Sequence, residues 1–371
     1  MCRALVSALL AVTALLLGAC SADKPKPTPL EPVAPKIAGR QVWSSRLDSV
    51  QFPLQVAVRN SQFIVAGTDG TVLALDAATG REAWRGQAGA RLSAGVGSDG
   101  RYAAVVTRDN DLVVLDTGKL LWKAPLASRT TAAPLVAGER VFVMGVDRVV
   151  HAFDVLDGKR IWTLQRPGEA LTLSQPGVVT SFKDTLVVGQ GAVLTGVDPL
   201  SGRVRWEATL ANPRGTNEVE RLADLVAPVL RAGDTVCARA FQSAVACANA
   251  QTGRTLWTRN VGGTQGVGGD AQWVFGADGS DRITAWRAGG GEVAWTYEKL
   301  LNRGLSAPLA TGKSVVFGDF EGQLHFLAAD TGAPVLRLPT DGSPIVAAPV
   351  VAGTTMLAVT RNGGLFAFRP E

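Results

Sequence analysis

The sequence predicts an all-β fold, an eight-bladed β-propeller of four-stranded antiparallel blades spanning residues 41–371. Three observations carry this. Tryptophans close a recurring phrase at positions 84, 122, 162, 206, 257 and 295, with Leu336 in the seventh place, a period of about 40 residues that matches one propeller blade. The apolar runs between them, such as Val141-Phe-Val-Met and Val149-Val-His-Ala-Phe, are short, β-branched and bounded by turn residues, which suits strands and leaves almost no helix. The two chain ends supply complementary parts of one more blade.

Residues 1–19 read as a secretory signal: Met1-Cys2-Arg3 gives one positive charge, and Ala4 to Leu17 is uncharged, mostly apolar and too short to span a bilayer comfortably. The stretch ends Leu17-Gly18-Ala19-Cys20, which resembles the lipobox of bacterial lipoproteins. The resemblance implies lipidation of Cys20, which becomes the mature N-terminus; the alternative is an ordinary signal that leaves Cys20 as a free thiol. Three acyl chains, at about 0.8 kcal/mol per buried methylene, would hold the protein on a membrane without spanning it.

Residues 20–40 follow as a tether. Pro25, Pro27, Pro29, Pro32 and Pro35 are interspersed with Lys, Glu and Thr, and large apolar residues are scarce. Such a segment buries too little to fold by itself, and at about 3.1 Å per residue it would reach roughly 60 Å from the bilayer. Ser21 stands where an aspartate retains enterobacterial lipoproteins in the inner membrane, so the outer membrane is expected.

The clearest copy of the repeat is Gly70-Thr-Val-Leu-Ala-Leu-Asp76-Ala-Ala-Thr-Gly80-Arg-Glu-Ala-Trp84. Asp154, Gly158 and Trp162 repeat its spacing, as do Asp198, Gly202 and Trp206, and Asn249, Gly253 and Trp257. Asp116, Gly118 and Trp122 form a shortened copy, Gly291 to Trp295 lacks the acid, and Ala328, Gly332 and Leu336 are the most worn. The acid can accept turn N–H groups, the glycine takes positive φ, and the indole fills the wedge between sheets. Inner strands carry small residues, as in Ala133-Pro134-Leu135, Ala227-Pro228-Val229, Ala307-Pro308-Leu309 and Ala348-Pro349-Val350, which fit a crowded centre. The C-terminal Gly363-Gly-Leu-Phe-Ala-Phe368-Arg stops after a third strand, and Gln41-Val42-Trp43-Ser44 can supply the fourth. That pairing would close the ring without a free sheet edge; seven blades with a stray N-terminal strand is the alternative.

Cys237 and Cys247 each lie five residues from a turn centred on Gln242, so they face each other across a hairpin and, in an oxidising compartment, read as a structural disulfide. The net charge of +5, or +4 without Arg3, is spread without a basic run, which argues against nucleic acid. His151 and His325 occupy the same strand position in two repeats and read as strand side chains. No hydrolase motif, zinc spacing or phosphate loop is present, so neither an enzyme, a cofactor nor a metal is expected.

The repeat resembles the tryptophan-docking repeat of quinoprotein alcohol dehydrogenases, which hold pyrroloquinoline quinone at the centre of an eight-bladed propeller. The adjacent cysteine pair of those enzymes has no counterpart here. Lipobox, Pro-rich tether and eight such blades together are more similar to the BamB family, propeller lipoproteins of the outer-membrane β-barrel assembly machine. The specific segments are Gly215-Thr-Asn-Glu218-Val-Glu220-Arg221-Leu222-Ala-Asp224-Leu225 and Glu169-Ala-Leu171-Thr-Leu173-Ser174. The resemblance implies that Leu171, Leu173, Glu220, Arg221 and Asp224 bind a POTRA domain of the barrel protein BamA, and that unfolded outer-membrane chains are further clients. Ser174 and Val226 depart from the family pattern of Arg and a second acid.

The residues support this surface independently. Trp206 to Trp257 spans 51 residues, an oversized connection of the kind that usually carries function. Both segments follow a fourth strand in neighbouring blades, so they emerge on one face, with leucines as anchors and charges as rim. Two alternatives stand: Leu171 and Leu173 begin an inner strand beside a merely solvated loop, or the chain is a general periplasmic binding propeller with another partner.

Overall fold

The computed structural model describes residues 25–166, 173–212, 216–217 and 219–371. Thirty-two strands form eight four-stranded antiparallel sheets, and no helix occurs among the described residues. Blades 1 to 7 occupy residues 57–87, 97–125, 135–164, 179–209, 225–259, 268–297 and 309–339, each sheet running in chain order from inner to outer strand. In blade 8 the outer strand Gly39–Arg46 pairs with Gly364–Pro370, Trp43 opposite Ala367. The ring is therefore closed by the N-terminal strand, as expected.

Each outer strand carries a register shift where it meets the third strand, for instance between Ala74 and Leu75 opposite Trp84 and Glu82, and the same irregularity recurs in every blade. Such bulges twist an edge and make it a poor template for pairing with another chain.

The repeat residues work as a joint between blades. Asp76 Oδ1 accepts from the Thr79 amide at 2.8 Å, Asp154 Oδ1 from Leu156 at 2.8 Å and Asn249 Oδ1 from Thr252 at 2.9 Å. The turn glycines Gly80, Gly158, Gly202, Gly253, Gly291 and Gly332 have φ of 71–73°. A side chain there would strike the tryptophan of the preceding blade: at Gly332 an added Cβ would lie 2.5 Å from the Trp295 ring. The indole N–H then donates to a carbonyl of that same turn, Trp43 to Ala77 at 3.0 Å, Trp122 to Val155 at 2.7 Å, Trp162 to Pro199 at 3.0 Å, Trp257 to Ala288 at 2.8 Å and Trp295 to Ala329 at 2.9 Å. Trp84 and Trp206 lie against Gly118 and Gly253, but their N–H groups find no acceptor among the described residues. Trp84 faces the shortened copy of the turn.

Leu336 takes the seventh place for a structural reason. It faces blade 8, whose third and fourth strands come from opposite chain ends and share no turn, so an indole there would lack its acceptor. An apolar cavity of about 300 Å³ remains at this seam, lined by Leu336, Leu338, Met356 and Phe368.

The structure corrects the free tether. From Lys26 onward the Pro-rich segment lies on the outside of blade 7. The Thr28 amide donates to the Leu301 carbonyl at 2.9 Å and the Lys36 amide to that of Val335 at 2.8 Å. Arg303 donates to the Thr28 carbonyl at 3.0 Å and Arg337 to that of Glu31 at 2.8 Å. Leu30 packs with Tyr297 onto the core shared by blades 6 and 7. The low apolar content is offset by carbonyls that meet cationic donors, so the segment is a strap rather than a spacer.

Candidate partner-binding face

Turns between first and second, and between third and fourth strands, lie on one face of the ring with the tryptophan joints. The opposite face carries the turns between second and third strands and all connections between blades. There three blades converge. Arg148, in such a turn of blade 3, donates through Nη2 to Asp224 Oδ1 at 3.0 Å, and both side chains are mostly buried at 13% and 16% exposure. Gln190 of blade 4 donates to the Arg148 carbonyl at 2.6 Å, and the Leu225 amide of blade 5 to the Gly191 carbonyl at 2.9 Å.

Leu173 is half-buried and shares a shallow depression with Met144, Leu225, Arg148 and Asp224. Two of the sequence-predicted residues, one from each segment, are thus brought together. Asp224 Oδ2 is buried and accepts no hydrogen bond among the described residues. Glu220 is exposed, but its carboxylate already accepts from the Thr216 amide at 2.7 Å and Asn217 Nδ2 at 3.0 Å, while Asn217 Oδ1 accepts from the Glu220 amide at 2.9 Å. This reciprocal pattern, like a capping box, shapes the loop. The Thr216 amide bond is the main reason that the Glu220 carboxyl sits below its usual pKa. Arg221 is half-buried. Cys20 and Leu171 lie outside the described residues.

Sequence reasoning missed Val219, which is 67% exposed at the crest of this loop; an aliphatic residue between two acids in an oversized connection was the available signal. It also missed Arg239, fully buried on blade 5, whose guanidinium donates to the carbonyls of Val261 and Ala277 at 2.9 Å each and ties blade 5 to blade 6. Burial pushes its pKa down to about 10, so it remains a cation at neutral pH. Of the two departures from the family pattern, Ser174 is exposed, whereas Val226 is fully buried against Arg239 and cannot reach a partner.

Cys237 and Cys247 stand opposite each other with Cα atoms 4.0 Å apart and are joined by a disulfide. His151 touches Thr163 Oγ1 at 3.0 Å. His325 is more than a strand side chain: it is buried, with Nε2 at 2.9 Å from Asp319 Oδ2 and Nδ1 accepting from Arg337 Nε at 3.2 Å. Accepting at Nδ1 fixes the proton on Nε2. Among the described residues no His, Cys, Asp or Glu cluster could hold a metal. Among the described residues, a central cavity of about 560 Å³ has Arg59 and Arg231 in its lining and no carboxylate or thiol.

Comparison with known proteins agrees with this picture. The family described as outer membrane protein assembly factor BamB matches residues 34–92 and 68–297. The protein of that name from Burkholderia pseudomallei is 35% identical, covering 97% of each chain, and that from Bordetella pertussis 33%, covering 98% of this chain and 95% of the relative. Among solved structures, BamB from Moraxella catarrhalis superposes with a TM-score of 0.81 at 24% identity over 90% of this chain and all of that one. A quinohemoprotein alcohol dehydrogenase from Comamonas testosteroni reaches 0.68 at 15% identity, over 89% and 76% of the two chains, a likeness of fold alone. With relatives this similar over nearly their full length, the chain belongs to the BamB family of outer membrane protein assembly factors.

Proposed function

We propose that this chain is a non-enzymatic scaffold of the outer-membrane β-barrel assembly machinery. It is held on the outer membrane through acylated Cys20 with the propeller in the periplasm, and its loop face binds a POTRA domain of BamA. The observation that carries this reading is the convergence of Leu173 with the Arg148–Asp224 pair in one depression of the loop face. Half-buried Leu173 and exposed Val219 offer the apolar anchors, and Glu220, Arg221 and Asp224 the polar rim. That is the anatomy of an interface in which a few residues dominate the binding energy. Leu171 is assigned to the same patch by its nearness to Leu173 in sequence.

The rigid ring suits a part that holds another protein's domains in a working orientation, and unfolded outer-membrane chains are its further clients. The likeness to a quinohemoprotein alcohol dehydrogenase is one of fold alone, whereas the nearly full-length relatives are assembly factors, which favours the scaffold reading. The test is affinity purification of the tagged lipoprotein from detergent extracts, with a Leu173→Asp variant beside it. A POTRA-containing barrel protein is expected with the wild type and not with the variant. Its absence from both would overturn the assembly role.

A further inference from the structure

The strap changes where the membrane must be. Three of its carbonyls are clasped by side chains of the propeller: Lys26 by Asn302 Nδ2 at 3.4 Å, Thr28 by Arg303 at 3.0 Å and Glu31 by Arg337 at 2.8 Å. Each of these residues precedes a proline, Pro27, Pro29 and Pro32, and a residue before proline is confined to the extended region. The carbonyls are therefore aimed before docking, and little chain entropy is left to lose on contact.

The clasp is itself held from behind. Arg303 is 3% exposed and donates to Asp319 Oδ2 at 2.8 Å, Asp319 also meets His325, and His325 receives Arg337. Lys299 adds an ion pair to Glu31 at 2.7 Å. The strap enters from the loop face, beside Asn302 in the connection from blade 6 to blade 7, and runs down the outside of blade 7 to the start of the strand Gly39–Arg46.

Docking removes most of the expected reach. Lys26 lies six positions after Cys20, and a fully extended chain of that length spans only about 20 Å, against the roughly 60 Å of a free tether. We propose that the clasped strap makes the loop-face rim of blades 6 and 7 the part of the propeller that meets the phospholipid surface. This rests on the reading of Cys20 as the lipid anchor. The candidate partner patch lies on the same face, on blades 3 to 5, so partner and bilayer are approached from one side.

The test uses the full acylated lipoprotein in phosphatidylethanolamine–phosphatidylglycerol vesicles carrying a headgroup quencher. A fluorophore is placed at Ser280→Cys, exposed on the loop face of blade 6, or at Lys313→Cys, exposed on the opposite face of blade 7. Quenching several-fold stronger at position 280 than at 313 is expected. Inserting a flexible Gly/Ser segment between Lys24 and Pro25, which leaves the clasp intact, should reduce quenching at 280 to the level at 313. Equal quenching at both positions in the uninserted protein, or no response to the insertion, would overturn the proposal. Flotation with the vesicles and the mass of the N-terminal peptide report the anchor separately; an unmodified Cys20 would overturn the anchor reading and this proposal with it.

Discussion

The two faces of the ring are built on different rules. On the joint face one device recurs, a glycine at positive φ against an indole from the blade before, and at five joints that indole also donates to a carbonyl of the turn. On the loop face the connections between blades vary in length, from residues 260–267 to residues 210–224, and the contacts that matter join residues far apart in sequence, such as Arg148 and Asp224 at a separation of 76. The difference separates what holds the propeller together from what it presents to others. Substitutions at the buried joint residues should move stability and spare binding, and those at the loop-face patch should do the reverse.

The largest expected effect breaks a joint. Trp295 is 9% exposed, packs on Gly332 and donates to Ala329, so Trp295→Ala should cost about 3–5 kcal/mol, read as a lowered denaturant midpoint. Removing the staple in blade 5 with Cys237→Ala and Cys247→Ala should cost about 2–3 kcal/mol, as expected for a loop closed over a sequence separation of 10; unfolding of the wild type in reductant should reproduce the loss.

The next effect depends on pH. Burial outweighs Asp319 and holds the pKa of His325 below its ordinary 6.5. Below pH 6.5 the unfolded chain then takes a proton that the folded one refuses, so the stability contributed by neutral His325 is complete above that pH and lost as pH falls through the folded value. His325→Gln should flatten this part of the stability profile. The smallest effect removes one turn acceptor: Asp154→Ala leaves the Leu156 amide without its bond and should cost about 1 kcal/mol, with partner binding unchanged.

Legibility in the sequence follows the same divide. The joint face could be read because each joint is made by residues at fixed spacing, and Trp43 at the N-terminus could be matched to the unfinished last blade. The bulges before the tryptophans could not, because the extra residue is Ala83 in one blade and Arg205 in another, with no shared chemistry. The strap was hidden for a different reason: its composition describes a chain alone, whereas its partners Arg303 and Arg337 lie 275 and 306 residues away. On the loop face, the meeting of Leu173 with Asp224 followed from blade order, but the Arg148 pair and the exposed Val219 depended on loop conformation, which no repeat fixes.

The central claim is that partner binding belongs to the loop face, and the most direct measurement is titration of the purified propeller with the soluble POTRA domains of its own BamA. Leu173→Asp is compared with Leu200→Asp, which changes a residue 62% exposed on the joint face. The account predicts wild-type affinity for Leu200→Asp and at least about a 30-fold loss for Leu173→Asp, the 2 kcal/mol of a dominant interface residue, with unfolding midpoints of both close to wild type. Equal affinity of the two variants would contradict it.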